Sequence, residues 1–158
     1  MEDEKQNWYL LEAFRHFVPD SYDYVIETVG VFTNEQLVIT ACQVIENKLA
    51  KLKALIETGE LEIITSLSTM NNCFDVILVN ENNTIGNMLA YMIDELLQKG
   101  TKDVIYNGFR KKHPHDTFSI LRIAVDPKHD GKVYIAQNLV MVIDRLITVF
   151  KQISSQIK

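Results

Sequence analysis

The sequence predicts an α+β fold in which long helices pack on one face of an antiparallel sheet. Three observations carry that prediction. Apolar residues recur at helical spacing along three long runs, near residues 34–58, 84–99 and 134–158. Short stretches rich in β-branched and aromatic residues stand between and around these runs. In the second part of the chain the order is strand, helix, two strands, helix, which suits helices gathered on one side of a sheet.

Composition narrows the class. The chain has 158 residues, of which 47% are hydrophobic and 23% charged, an ordinary globular balance rather than a disordered one. A net charge of −5 argues against independent nucleic-acid binding, which needs a basic field to displace counterions from phosphates. No run approaches the ~20 consecutive apolar residues of a membrane span. Glu2, Asp3 and Glu4 are the opposite of a signal or transit peptide, so an intracellular location with no membrane partner is expected. Cys42 and Cys73 lie in no metal-ligand spacing and read as small buried hydrophobes.

Residues 1–20 gather Trp8, Tyr9, Leu10, Leu11, Phe14, Phe17 and Val18 ahead of Pro19. Helix, strand and docking arm all remain open there. Residues 22–29, Y-D-Y-V-I-E-T-V, alternate in part and predict a strand ended by Gly30. Thr33 with Gln36 has capping-box spacing and opens the longest helical pattern, with the stripe Val38, Ala41, Cys42, Ile45, Leu49, Leu52 and Ile56 and a stop at Gly59. A helix of about 25 residues is roughly 40 Å long, more than a small domain needs, so it is expected to reach a partner.

A strand at residues 61–66 and a turn at 68–72 lead to a clearer strand, Cys73–Val79. The next stretch, residues 80–100, has a start, a stop and one apolar face. Asn83 or Thr84 can cap it, Gly100 can end it, and Ile85, Met88, Leu89, Met92, Ile93 and Leu96 form its stripe. Gly86 costs a helix about 1 kcal/mol against alanine, which predicts the close approach of another backbone. Strands follow at 104–109 and at Phe118–Val125, joined by the polar loop 110–116. The turn 126–131 closes the sheet. A last helix carries Leu139, Val142, Ile143, Leu146, Phe150, Ile153 and Ile157 on one face.

Several of these segments also resemble a known family. V-N-E-N-N-T-I-G-N-M-L at 79–89, N-G-F-R-K-K-H-P-H at 107–115 and L-R-I at 121–123 resemble the small α-like subunit of multisubunit DNA-directed RNA polymerases, the archaeal L type and its eukaryotic counterparts. Y-D-Y-V-I-E-T-V-G at 22–30, with the helix after Thr33, resembles the closing strand and helix of the larger α-like subunit, the archaeal D or bacterial α type. Ile85 stands where leucine is usual, and His115 where a second proline would complete the loop. The opening strands, first helix and inserted domain of a larger-type subunit have no counterpart before Tyr22. The resemblance therefore implies residues 1–60 as the C-terminal part of a larger α-like dimerisation module and 61–158 as a whole smaller one. Such a fusion is similar to polymerases of large DNA viruses, which implies a virion and host-cytoplasm setting.

In that family two α-like folds pack helix against helix and form the platform on which the two largest subunits assemble. The resemblance implies module or subunit pairing through Thr84, Ile85, Gly86, Asn87, Met88, Leu89, Met92 and Ile93, with Leu139, Ile143, Leu146 and Phe150. Ile45, Leu49 and Leu52 are expected to meet them, and another chain to supply the missing part of the larger module. Three striped helices exceed what one small sheet covers, which fits an interface role. Gly86→Leu is accordingly expected to block pairing while leaving helical content intact. A stand-alone interaction adaptor using the same fold outside transcription is the alternative.

No nucleotide-binding glycine loop, nucleophile elbow or magnesium-binding carboxylate triplet occurs, so no catalytic site or cofactor is expected in this chain. The Mg²⁺ of nucleotidyl transfer is expected in the large subunits. His113, Pro114 and His115 form the one histidine cluster, but a metal needs three or four ligands and Asp116 is the sole neighbour. Arg110, Lys111 and Lys112 beside it read first as a solvated hairpin loop; the functional alternative is that Arg110, Lys111, Lys112, His113, Pro114 and His115 face an acidic patch of a large subunit or nearby nucleic acid. Glu57, Glu60 and Glu62 read as solvated.

Overall fold

A computed structural model describes residues 2–19 and 21–157. Two compact units divide the chain, Met1–Asn34 and Glu35–Lys158. The second holds a four-stranded antiparallel sheet built from β1 (Ile63–Thr65), β2 (Cys73–Val79), β3 (Val104–Arg110) and β4 (Phe118–Val125), in the order β1-β2-β4-β3. The two central strands, β2 and β4, have the predicted bounds. Their registers explain why. Val76 faces Leu121 and Phe74 faces Ile123 on one side of the sheet, while Ile77 faces Ile120 and Asp75 faces Arg122 on the other. A one-residue slip would move every one of these side chains to the wrong face.

Helices α2 (Asn34–Glu57), α3 (Asn83–Ile93) and α4 (Gly131–Gln156) contribute to one hydrophobic core with the first of those faces. The α+β arrangement is therefore present: an antiparallel sheet with its helices on one side. Leu49 and Leu52 of α2, Leu89 and Ile93 of α3 and Leu139 and Ile143 of α4 all belong to that core. Leu49 is 0% exposed inside it, so α2 joins the sheet unit, and the boundary of compactness falls after Asn34. Lys53 of α2 also donates to both carboxylate oxygens of Asp144 on α4, at 2.7 and 2.8 Å. Gly59 ends α2 as expected, with a left-handed φ of 74°.

Three local expectations are corrected. The cap of α3 is Asn82, whose Oδ1 accepts from the Thr84 N–H at 3.0 Å, not Asn83 or Thr84. Nor does Gly100 stop the helix. Past Ile93 the coil widens into π-helical turns over Asp94–Thr101, and the left-handed residue is Lys102 at φ 61°. An extra residue per turn also rotates the inner face, so Leu97 is buried and Leu96 only half-buried. Residues 22–29 form no strand: no ladder partner lies among the described residues, and Val29 is 98% exposed. Alternation gives a strand its propensity, but a strand exists only when a neighbour pairs with it.

The first unit is helical at its start, with α1 (Glu2–Asn7) followed by a π-helical turn over Trp8–Glu12 and a 3-10 turn over Ala13–Arg15. None of these elements buries a residue. At the other end, Gly131–Gln156 is long and apolar enough, by length and composition alone, to cross a membrane. Its inner stripe of Ile135, Leu139, Val142, Ile143 and Leu146 lies instead in the sheet core.

On the helix-free face of the sheet, Arg122 donates from Nε and Nη2 to the two oxygens of Asp75, at 2.7 and 2.8 Å. These bonds hold the Asp75 carboxyl below its ordinary range. A depressed folded pKa means that the pair's contribution is complete above the unfolded value near 3.9 and is lost as pH falls through the folded one. Asp75→Asn should cost about 1.5–3 kcal/mol at neutral pH and flatten the acid limb of stability. Urea melts of both proteins from about pH 6 to about pH 2 check this; parallel acid limbs would show that the pair does not matter to stability.

Candidate protein interface

The resemblance places pairing on the apolar stripes of α3 and α4. On α3 the spacing of the stripe sends Ile85, Leu89 and Ile93 into the core and leaves Met88 and Met92 half-buried beside them. On α4 the same logic buries Leu139, Ile143 and Leu146 and leaves Phe150 half-buried. Between the two helices, Asn87, Met88, Tyr91, Met92, Leu146, Val149 and Phe150 line an open hollow of about 350 Å³. Its walls are thioether, aromatic and aliphatic apart from Asn87. Flexible methionines beside an aromatic ring are suited to receiving apolar side chains from another protein.

The predicted interface residues therefore fall into two groups. Ile85, Gly86, Leu89, Ile93, Leu49, Leu52, Leu139, Ile143 and Leu146 are buried in the core of Glu35–Lys158. Thr84 and Asn87 are exposed, and Ile45, Met88, Met92 and Phe150 are half-buried, so these six reach the surface. Leu49 and Leu52 of α2 belong to the same core as the α3 and α4 stripes, with Ile45 packed against it.

Tyr91 and Val149 were missed. Both flank the stripes that periodicity selects, Tyr91 three residues after Met88 and Val149 three after Leu146. A wider stripe on each helix would have included them.

Gly86 has a different neighbour from the one expected. A Cβ there would overlap the ring of Phe109 on β3, so the close approach is a side chain of the same sheet, not a second helix backbone.

The loop 110–116 is ordered by its own hydrogen bonds. The His113 N–H donates to Asp116 Oδ2 at 3.0 Å, and the His115 N–H donates to His113 Nδ1 at 3.2 Å. Arg110, Lys112, His113, Pro114 and His115 are exposed and Lys111 is half-buried. Among the described residues no group of three or more His, Cys, Asp or Glu side chains stands where it could hold a metal ion.

A second cluster joins β3 to the β4–α4 turn. Asp103 accepts from Lys128 Nζ at 2.7 Å and from the Tyr134 hydroxyl at 3.2 Å, with His129 Nε2 at 3.1 Å. Led by the Lys128 bond, these contacts hold the Asp103 carboxyl well below its ordinary range. The cluster fixes the corner where the chain leaves the sheet. No protein-family model matches this chain.

Proposed function

We propose that the chain is a non-catalytic assembly subunit of a multisubunit DNA-directed RNA polymerase, pairing α-like modules so that the two largest subunits can assemble. The observation that carries the reading is the apolar hollow between α3 and α4, left open after the sheet, α2 and the two helices have buried their inner faces. The polymerase context comes from the resemblance at 79–89, 107–115 and 121–123. In this reading residues 34–57 act as the larger module's helix, already packed on the smaller one. The exposed segment 22–29 then pairs with a strand that another chain supplies.

Affinity purification of the tagged chain from its native cells tests the proposal. Much larger polypeptides with polymerase activity should accompany it. Met88→Asp with Met92→Asp should remove them, at about 2 kcal/mol or more per hot-spot side chain, while circular dichroism stays unchanged because both residues are only half-buried. Partners without polymerase activity would instead favour an adaptor outside transcription. Retention of the polymerase by the double variant would move the interface elsewhere.

A further inference from the structure

The helix-free face of the sheet is not flat. It carries an open hollow of about 560 Å³, a size typical of ligand sites, to which all four strands contribute. Register explains its floor: Ile77 lies beside Ile120, and Ile120 beside Arg110, so an apolar row ends in a cation. Ile64 and Phe118 extend the apolar surface on either side. In the next row Arg122 is held by Asp75, which is 6% exposed, so that pair adds polarity to the floor but little net charge.

Two cations remain on the β3 side, Arg110 and Lys112. Both are exposed, and among the described residues neither makes an ion pair. Arg110 is close enough for its charge to help keep Asp75 ionised. Glu62 stands at the opposite, β1 side of the hollow. The face is therefore apolar in the middle, cationic at one end and anionic at the other, in a chain whose net charge is −5.

We propose that this face docks a peptide segment of a partner protein in which apolar side chains are followed by carboxylates. The apolar residues lie over Ile77, Ile120 and Phe118, and the carboxylates meet Arg110 and Lys112. Charge complementarity sets the direction of the segment, because Glu62 repels the acidic end from the β1 side. Four strands about 4.8 Å apart span roughly 15 Å, the reach of about five extended residues. The proposal uses the face opposite to the helical hollow and is tested apart from the polymerase reading, although Arg110 and Lys112 belong to the loop that reading offers to a large subunit.

Fluorescence anisotropy with the full chain and a labelled Leu-Val-Leu-Glu-Glu peptide tests it. Saturable binding is expected, weakened at least about tenfold as ionic strength rises from about 0.05 to 0.5 M. The Gln-Gln peptide should bind at least about tenfold more weakly and the Lys-Lys peptide not at all. Arg110→Glu with Lys112→Glu should reverse the preference between the acidic and basic peptides, and both sites are exposed, so the fold should survive. Equal binding of the three peptides to the unmodified chain would overturn the proposal, as would no binding of the acidic one. So would a folded charge-reversal variant with unchanged preference, or full displacement by free glutarate, which would indicate a small-anion site.

Discussion

Leu49→Ala should lower the unfolding free energy of the sheet unit by about 2–5 kcal/mol, a large part of the 5–15 kcal/mol typical of a domain. Leu49 sits 0% exposed among α3, α4 and sheet residues of one core, so truncation leaves a cavity that those elements can only partly close. Leu49→Asp should be worse, because it buries an unpaired charge, and is expected to release α2 from the layer. Release would also break the Lys53–Asp144 and Lys48–Glu81 ion pairs, which are partly exposed and contribute little alone. Denaturant melts of the full chain decide the matter. A Leu49→Ala midpoint equal to the parent's would mean that α2 does not share this core, and residues 34–57 would then belong with a partner.

Gly86→Leu should act on folding rather than on pairing. Even a methyl group at this position overlaps the Phe109 ring, which must leave its place on α3 before any larger side chain can enter. Overpacking of this kind costs about 1–3 kcal/mol for Gly86→Ala and more for leucine. The two sites should be coupled. Gly86→Ala combined with Phe109→Ala should cost less than the sum of the single changes, because the second removes what the first collides with. Thermal melts of the four proteins measure that coupling. Additive costs would show that the ring moves aside freely, and would restore the reading of Gly86 as a helix-pairing residue.

Much of the sheet and its helical layer was legible because each element carries its own signal. Cys73–Val79 and Phe118–Val125 are β-branched runs bounded by turn residues, and both form with the predicted limits. The stripes of α3 and α4 identified the core side of each helix through Leu89, Ile93, Leu139 and Ile143. The ends were less legible. Asn82 rather than its neighbours caps α3, since any Asn or Thr at such a start can accept a backbone N–H and only the path of the chain selects one. Past Ile93 the π-helical turns exchange Leu96 for Leu97 on the inner face, a change that no fixed period anticipates.

The candidate site was legible only in part for a related reason. Periodicity shows that Met88, Leu89, Met92 and Ile93 share a face, but not which of them another element of the same chain will cover. Tertiary packing divides them: Leu89 and Ile93 face the sheet, while Met88 and Met92 line the open hollow with Tyr91 and Phe150. On the opposite sheet face only the basic run at 110–112 carried a sequence signal; Ile120 and Ile77 become neighbours of Arg110 through strand register alone.

The order of elements in the sheet unit, the apolar faces of its helices and the composition of its loops can be read along the chain, since these depend on interactions between residues close in sequence. Tertiary contacts, by contrast, bring α2 into the sheet core, put Phe109 beside Gly86 and leave residues 22–29 without a ladder partner among the described residues. Each of those outcomes rests on contact between residues far apart in the chain, and local propensity carries no record of which distant surface a side chain will meet.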